Sequence, residues 1–306
     1  MKLVSYGPRG AEQPGVLIEE DEAILPLAPL WSELGQPPPD MYAVVGLLPW
    51  LRGVIDDAIA RRRGLLSAAG VRLGPPVPRP SKVVVCGLNM RSQLHEAQPF
   101  FGSAAPRRPP LALRPPTNIS GPWDTIACPP EAAEVDYEAE LAVVIGRSTR
   151  RVTRAHALRH VAGYMCAQDL TSRALLRGDT DRNPLFLQPT HGKGVDSFCP
   201  TGPWLVSADA VADPGALSIR TWVNDELRQD GSTAEMIVPV AELIEWLSTT
   251  FTLLPGDIIL TGTPAGMGGA LDPPQSLRDG DIVRTAIAGL GEMINQVKET
   301  ADAPGD

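Results

Sequence analysis

Residues 135–146 read VDYEAELAVVIG. The second half, Leu141 to Ile145, is continuously apolar and β-branched at its end, which is the composition of a buried strand. Side chains on a strand alternate between faces, so Glu138 and Glu140 project to one side and Tyr137, Ala139 and Leu141 to the other. Two carboxylates at the mouth of a strand that runs into a core are hard to explain as solvated surface, because like charges repel and burial disfavours both.

Other segments with strand character lie on both sides of this one. Lys2–Tyr6, Gly15–Glu19 and Ala23–Leu27 are short strand readings, followed by a helix over 49–68 in which Pro49 suits the first turn. The proline-dense run at 71–82 is a linker signature and sets a boundary near residue 75. The division is then a small N-terminal α/β domain at 1–75, a main domain at 76–298 and a tail at 299–306. Strands are expected at Lys82–Gly87, Val161–Asp169, Trp204–Val206, Leu217–Val223, Asp257–Leu260 and Asp281–Ala288. Short helices are expected at 153–160, 170–177 and 240–249. The 306 residues include 32 prolines and 29 glycines, well above average usage. Proline breaks helix interiors, so the fold class is α+β and β-rich.

Charge and composition exclude several function classes. Twenty-seven Lys and Arg against 36 Asp and Glu give a net charge of −9, the wrong sign for holding a nucleic-acid backbone. No apolar run is long enough to span a membrane, and the start MKLVSYGPRG has no apolar signal core. None of Cys86, Cys128, Cys166 and Cys199 forms a C-x-x-C pair. Buried thiols in a reducing cytoplasm account for them, so the expected location is cytoplasmic.

A third acid, Asp169, closes the apolar strand that ends Cys166-Ala167-Gln168. Three carboxylates without histidine or cysteine make a hard oxygen site suited to Mg²⁺ or Mn²⁺. The spacing alone leaves a second explanation open, in which Glu138 and Glu140 pair with arginines such as Arg147 or Arg173.

The runs DYEAELAVVIG, AGYMCAQDLTSR, KGVDSFCPTGPWL and LLPGDIILTGTPAGMG, in that order from about residue 80 to 297, resemble the fumarylacetoacetate hydrolase family. The resemblance implies a mixed β-sandwich roll for the main domain, a homodimer, and action on a 2-oxo or β-diketo acid with Mg²⁺ or Mn²⁺. It assigns Glu138, Glu140 and Asp169 to the metal. Lys193 would be the lysine facing the substrate oxygens, Arg173 the arginine after the metal aspartate, and Thr263, with Gly262 before it, the substrate-carboxylate loop. The reaction would pass through a metal-stabilised enolate, leading to C–C bond hydrolysis, decarboxylation or keto–enol isomerisation.

Two departures narrow the reading. The family pattern G-x-N-Y-x-x-H-x-x-E here reads Gly87-Leu88-Asn89-Met90-Arg91-Ser92-Gln93-Leu94-His95-Glu96, so Asn89 and Glu96 are in place while Met90 and Gln93 replace the tyrosine and the dyad histidine. Glutamine does not titrate near neutral pH, so isomerase or decarboxylase chemistry is favoured over hydrolysis. Glu96 is then the proton carrier, Gln93 faces substrate, and His95 serves catalysis only if the loop rearranges, because two helical positions turn it by about 200°. Leu176 replaces a polar pocket residue. A biosynthetic cyclase or lyase reusing the enolate site, or an inactive metal-binding homologue, are the competing readings. Arg91, Arg107, Arg108 and Arg114, around the proline-rich stretch, read as solvent-facing charges, with a second acidic group as the alternative partner, and residues 93–108 as a mobile lid.

Overall fold

The computed structural model describes residues 1–33, 35–98 and 105–300. Residues 99–104 of the expected lid and residues 301–306 of the expected tail lie outside the described residues.

The strand Ala139–Ile145 is buried at every position and is hydrogen-bonded on both sides. It runs antiparallel to Val161–Gln168, with Leu141 opposite Cys166, and antiparallel to Ile258–Leu260. Its alternate side chains enter two different cores. Ala142 and Val144 join Met165, Ala167, Ile258 and Leu260 against Val44, Leu48 and Ile55 of the helix Met41–Ala60. Leu141, Val143 and Ile145 join Cys166 and Ile259 against Leu243, Ile244 and Leu247 of the helix Val240–Thr250, and against Ile219, Ile287 and Met293 of a second sheet. A strand covered on both faces needs apolar residues at every position, which is why this stretch shows no polar alternation beyond Glu140.

Among the described residues the large sheet has 11 strands. Val83–Cys86 extends it beyond Ile258–Leu260 in parallel, and Leu111–Arg114 forms that edge. On the other side Val161–Gln168 pairs with Cys199–Ser207, which pairs in turn with the N-terminal Lys2–Tyr6. The sheet therefore continues into the first 75 residues through the pairings of Lys2 with Val206 and Leu3 with Leu205. The second sheet, of five strands, is ordered Glu226–Ser232, Ser218–Val223, Ile282–Ile287, Gly291–Glu299 and Ile126–Cys128. Mixed sheets with few helices agree with the β-rich α+β expectation.

The first long helix differs from its reading. It spans Met41–Ala60, with Pro49 inside it. Asp40 supplies the start that was assigned to Pro49, its side chain accepting the Ala43 N–H at 2.8 Å. The last residues assigned to that helix instead form a turn and the strand Leu66–Ser67. The expected single strand over 135–146 is also split. Val135–Asp136 pairs with Thr171–Ser172, and pairing with Val161–Gln168 begins only at Ala139. The fork at Tyr137–Glu138 is held by Gln168, whose Oε1 accepts the Glu138 N–H at 2.8 Å. Glu138 in turn accepts the Asp169 N–H on its carbonyl, also at 2.8 Å. All three acids meet at this fork.

Candidate metal centre and proton-transfer site

Glu138, Glu140 and Asp169 are all buried, and each offers a carboxylate oxygen within 4.8 Å of the others. Three cations approach them. The short helix Pro189–Lys193 delivers Lys193, and Asn118 anchors its end by donating to the Lys193 carbonyl at 2.8 Å. The Lys193 ammonium donates to Glu138 Oε2 at 2.9 Å, to Thr171 Oγ1 at 2.8 Å and to Asp169 Oδ2. Arg173 reaches Glu138 Oε1 at 2.9 Å and holds Asp136 through Nε and Nη2 at 3.0 and 2.8 Å. Arg114 is fully buried and donates to Asp169 Oδ1 at 2.7 Å, to the Phe198 carbonyl at 2.9 Å and to the Leu170 carbonyl at 2.6 Å.

The charges do not balance at Glu140. Among the described residues it has no ion pair, and the Gly262 N–H at 2.6 Å is its hydrogen-bond partner. Burial, followed by the charge on Asp169, pushes its carboxyl well above the ordinary range. Burial also pushes Glu138 upward, but Lys193 and Arg173 outweigh it and hold that carboxyl down at about 2. Lys193 is opposed by burial, and Asp169 and Glu138 more than restore its affinity for the proton. An all-oxygen set that still carries one uncompensated negative charge fits a hard divalent cation. Mg²⁺ or Mn²⁺ would be held by Glu138, Glu140 and Asp169.

The loop from Gly262 to Gly269 touches one group of the site after another. Gly262 N–H meets Glu140, and Gly266 N–H meets Glu96 Oε1 at 2.9 Å. Met267 Sδ lies 3.7 Å from Gln93 Nε2 and 3.3 Å from Arg173 Nη2. Gly268 and Gly269 donate to the two oxygens of Asp136 at 2.8 and 2.9 Å. Thr263 is buried, and its hydroxyl oxygen accepts from Gln229 Nε2 at 2.8 Å, so its own proton is left to donate. Gly266 has φ +101°, and a Cβ there would lie 1.9 Å from the Arg228 carbonyl oxygen. Gly266→Ala is therefore expected to cost on the order of 3 kcal/mol. Denaturant unfolding measures it, and a cost under ~1 kcal/mol would mean the loop yields without strain.

The structure thus brings Glu138, Glu140, Asp169, Lys193, Arg173, Thr263, Gly262, Gln93 and Glu96 around one loop and one fork. His95 is not brought in. It is exposed on the helix Arg91–Glu96, while Gln93 is 6% exposed. That is the outcome of helix geometry without the loop rearrangement that a catalytic His95 would require. Arg114 corrects the reading of the loop arginines as solvent-facing, since it is buried against a metal-site acid. Arg91, Arg107 and Arg108 are exposed. Asp136, which fixes Arg173 and the glycine loop, was also overlooked. The period that paired Glu138 with Glu140 extends to it and was signal enough.

A family model described as the fumarylacetoacetate (FAA) hydrolase C-terminal domain matches residues 82–298. Oxaloacetate tautomerase FAHD2B, mitochondrial, of Bos taurus is 41% identical over 80% of this chain and 75% of its own length. Oxaloacetate tautomerase YisK of Bacillus subtilis is 40% identical over 76% of this chain and 75% of its own. Among solved structures, maleylpyruvate hydrolase from Sphingobium sp. SYK-6, in complex with manganese(II) ion and pyruvate, superposes with a TM-score of 0.78. It shares 31% identity, covering 98% of this chain and 99% of that one. A probable 2-hydroxyhepta-2,4-diene-1,7-dioate isomerase from Mycobacterium abscessus gives a TM-score of 0.79 at 36% identity, covering 99% of this chain and 100% of that one.

Proposed function

The chain belongs to the fumarylacetoacetate hydrolase family, and from that premise we propose that it is a divalent-metal-dependent keto–enol tautomerase of a 2-oxo dicarboxylic acid of the oxaloacetate type. One observation carries the choice of reaction. Beside Glu96 stands Gln93, and none of the four histidines joins the cluster. His95, His156 and His191 are exposed, and His160 is bonded to Thr149. Tautomerisation takes one proton from carbon and returns one. Hydrolysis must also activate a water, which a single carboxyl already engaged with carbon does poorly. The tautomerase relatives and the Mn²⁺-bound hydrolase neighbour support metal-dependent 2-oxo acid chemistry.

The proposed roles are these. The ion, when bound by Glu138, Glu140 and Asp169, supplies Lewis-acid polarisation of the 2-oxo group. Lys193 adds a positive charge at the same oxygen. The free proton of Thr263 Oγ1 orients the adjacent carboxylate. Gly262 acts one step back, by holding Glu140. Arg173, 24% exposed at its side chain, faces the distal carboxylate, and Glu96 exchanges the proton at C3. The exposed run Leu185-Phe186-Leu187, four residues ahead of His191 at its nearest, supports a homodimer as the working form, with Leu185 at 87% exposure.

The test follows the decay of enol-oxaloacetate absorbance with Mg²⁺ or Mn²⁺, alongside acylpyruvate cleavage and oxaloacetate decarboxylation. Metal-dependent tautomerisation is expected to be the fastest of the three. Glu96→Gln should slow it by about 10²–10⁴-fold with metal affinity unchanged. Faster acylpyruvate cleavage than tautomerisation would overturn the proposal.

A further inference from the structure

The helix Arg91–Glu96 presents Gln93 and Glu96 one turn apart on the face that meets the glycine loop. One oxygen of Glu96 takes the Gly266 N–H, leaving Oε2. The amide nitrogen of Gln93 is aimed at Met267 Sδ, which leaves Oε1. Both remaining oxygens are buried, and among the described residues neither has a hydrogen-bond partner. Two bare buried acceptors one helical turn apart are unfavourable, and a single proton shared between them satisfies both.

We propose that Gln93 is a positioning residue that keeps Glu96 in its acid form, the carboxylic O–H at Oε2 donating to Gln93 Oε1. A histidine at this position would take the proton for itself. An amide oxygen accepts a hydrogen bond without accepting the proton, so the substitution at 93 turns a would-be base into a resting acid. The inference rests on the tautomerase reading for its catalytic meaning. An acid at rest starts the cycle in the enol-to-keto direction. The enol hydroxyl gives its proton to water, the Glu96 O–H bond breaks as the C3–H bond forms, and water reprotonates the Glu96 carboxylate.

The surroundings of Glu96 agree with this. Among the described residues, the charges of Asp136 and Arg173 act on it across the site, Tyr137 lies within reach of its charge, and the backbone carbonyl of Arg228 stands behind Gly266. Glu235 accepts the Ser92 N–H at the helix start, and Arg91 and His95 are exposed on the helix itself. Burial is the largest influence and raises the Glu96 carboxyl above its ordinary range. Asp136 adds to it, and the Gly266 and Met267 N–H groups and Arg173 work against it.

The experiment reads the carboxyl directly, by isotope-edited difference infrared spectroscopy of the metal-loaded protein without substrate, with Glu96→Gln assigning the band. The parent is expected to show a neutral Glu96 carboxyl near pH 7. Gln93→Met, which keeps the volume and removes the acceptor, should lower the Glu96 titration midpoint by about one pH unit. The sign decides, since an amide that donated to a carboxylate would have held the midpoint down, and its loss would raise it. An unchanged or raised midpoint in Gln93→Met overturns the proposal. Gln93→His supplies a second reading should the methionine variant fold poorly. There the neutral-carboxyl band should vanish near pH 7, and its persistence would also overturn the proposal. Because no turnover is needed, failure of the tautomerase reading in the kinetic assay and failure of this pairing in the infrared assay are separate results.

Discussion

Glu140→Gln is expected to weaken Mg²⁺ or Mn²⁺ binding by about 100-fold or more, since loss of even an outer partner of a metal ligand costs about 10–100-fold. Isothermal titration calorimetry on the metal-stripped protein measures it. Turnover at fixed metal should fall by about 10³-fold, the rate equivalent of several kcal/mol of lost Lewis-acid stabilisation. The same change should leave the metal-free protein as stable as the parent, or more so. Among the described residues Glu140 is buried beside Asp169 with no ion pair, and glutamine keeps an oxygen for the Gly262 N–H while removing the repelled charge. The signature is therefore a split: the metal-free melting temperature is held or raised, and the rise on adding metal is lost. A variant that still bound metal within about threefold of the parent, well inside the range just given, would remove Glu140 from the ligand set.

Arg114→Met is expected to produce the largest loss of stability of any single substitution at the site, about 3–5 kcal/mol. Three donors disappear at once. The Asp169 carboxylate loses an ion-pair partner, and the Phe198 and Leu170 carbonyls lose theirs, all at buried positions. Breaking one side of a buried pair is costly because the other side keeps its charge without water to solvate it. For a chain of this size that corresponds to a drop of about 6–20 °C in melting temperature, readable by calorimetry. Arg114→Lys should recover little, because an ammonium cannot reproduce the planar fork that reaches three acceptors. A melting temperature within about 2 °C of the parent, the equivalent of under ~1 kcal/mol, would show that other groups take over these contacts.

The cluster of three carboxylates was legible because its signal is local. Glu138 and Glu140 share a face by strand periodicity, and Asp169 sits at the end of an apolar strand whose partner is the strand they begin. Arg114 was not legible. Nothing in a proline-rich stretch says that one of its arginines turns inward, and the contacts that bury it come from Asp169, Leu170 and Phe198, 55 to 84 residues away in the chain. The helix start was missed for a smaller reason. Pro49 is acceptable in a first turn, but Asp40 is the better cap, and tertiary burial of Met41, Val44 and Val45 carries the helix through the proline. The strands Glu226–Ser232 and Gly291–Glu299 escaped the reading because their outward positions are polar or exposed, and only the facing sheet gives them an inner side.

The glycine loop gives the site a single mechanical support. Glu140, Glu96, Gln93, Arg173 and Asp136 come from three separate regions of the chain, yet each is registered against the same eight residues. Groups that share one support do not vary independently, so the costs of altering any two of them are coupled rather than additive. The chemistry can then be retuned most cheaply where a side chain leans on the loop without being fixed by its backbone N–H groups. Position 93, whose side chain among the described residues meets the loop through the sulfur of Met267, is such a place.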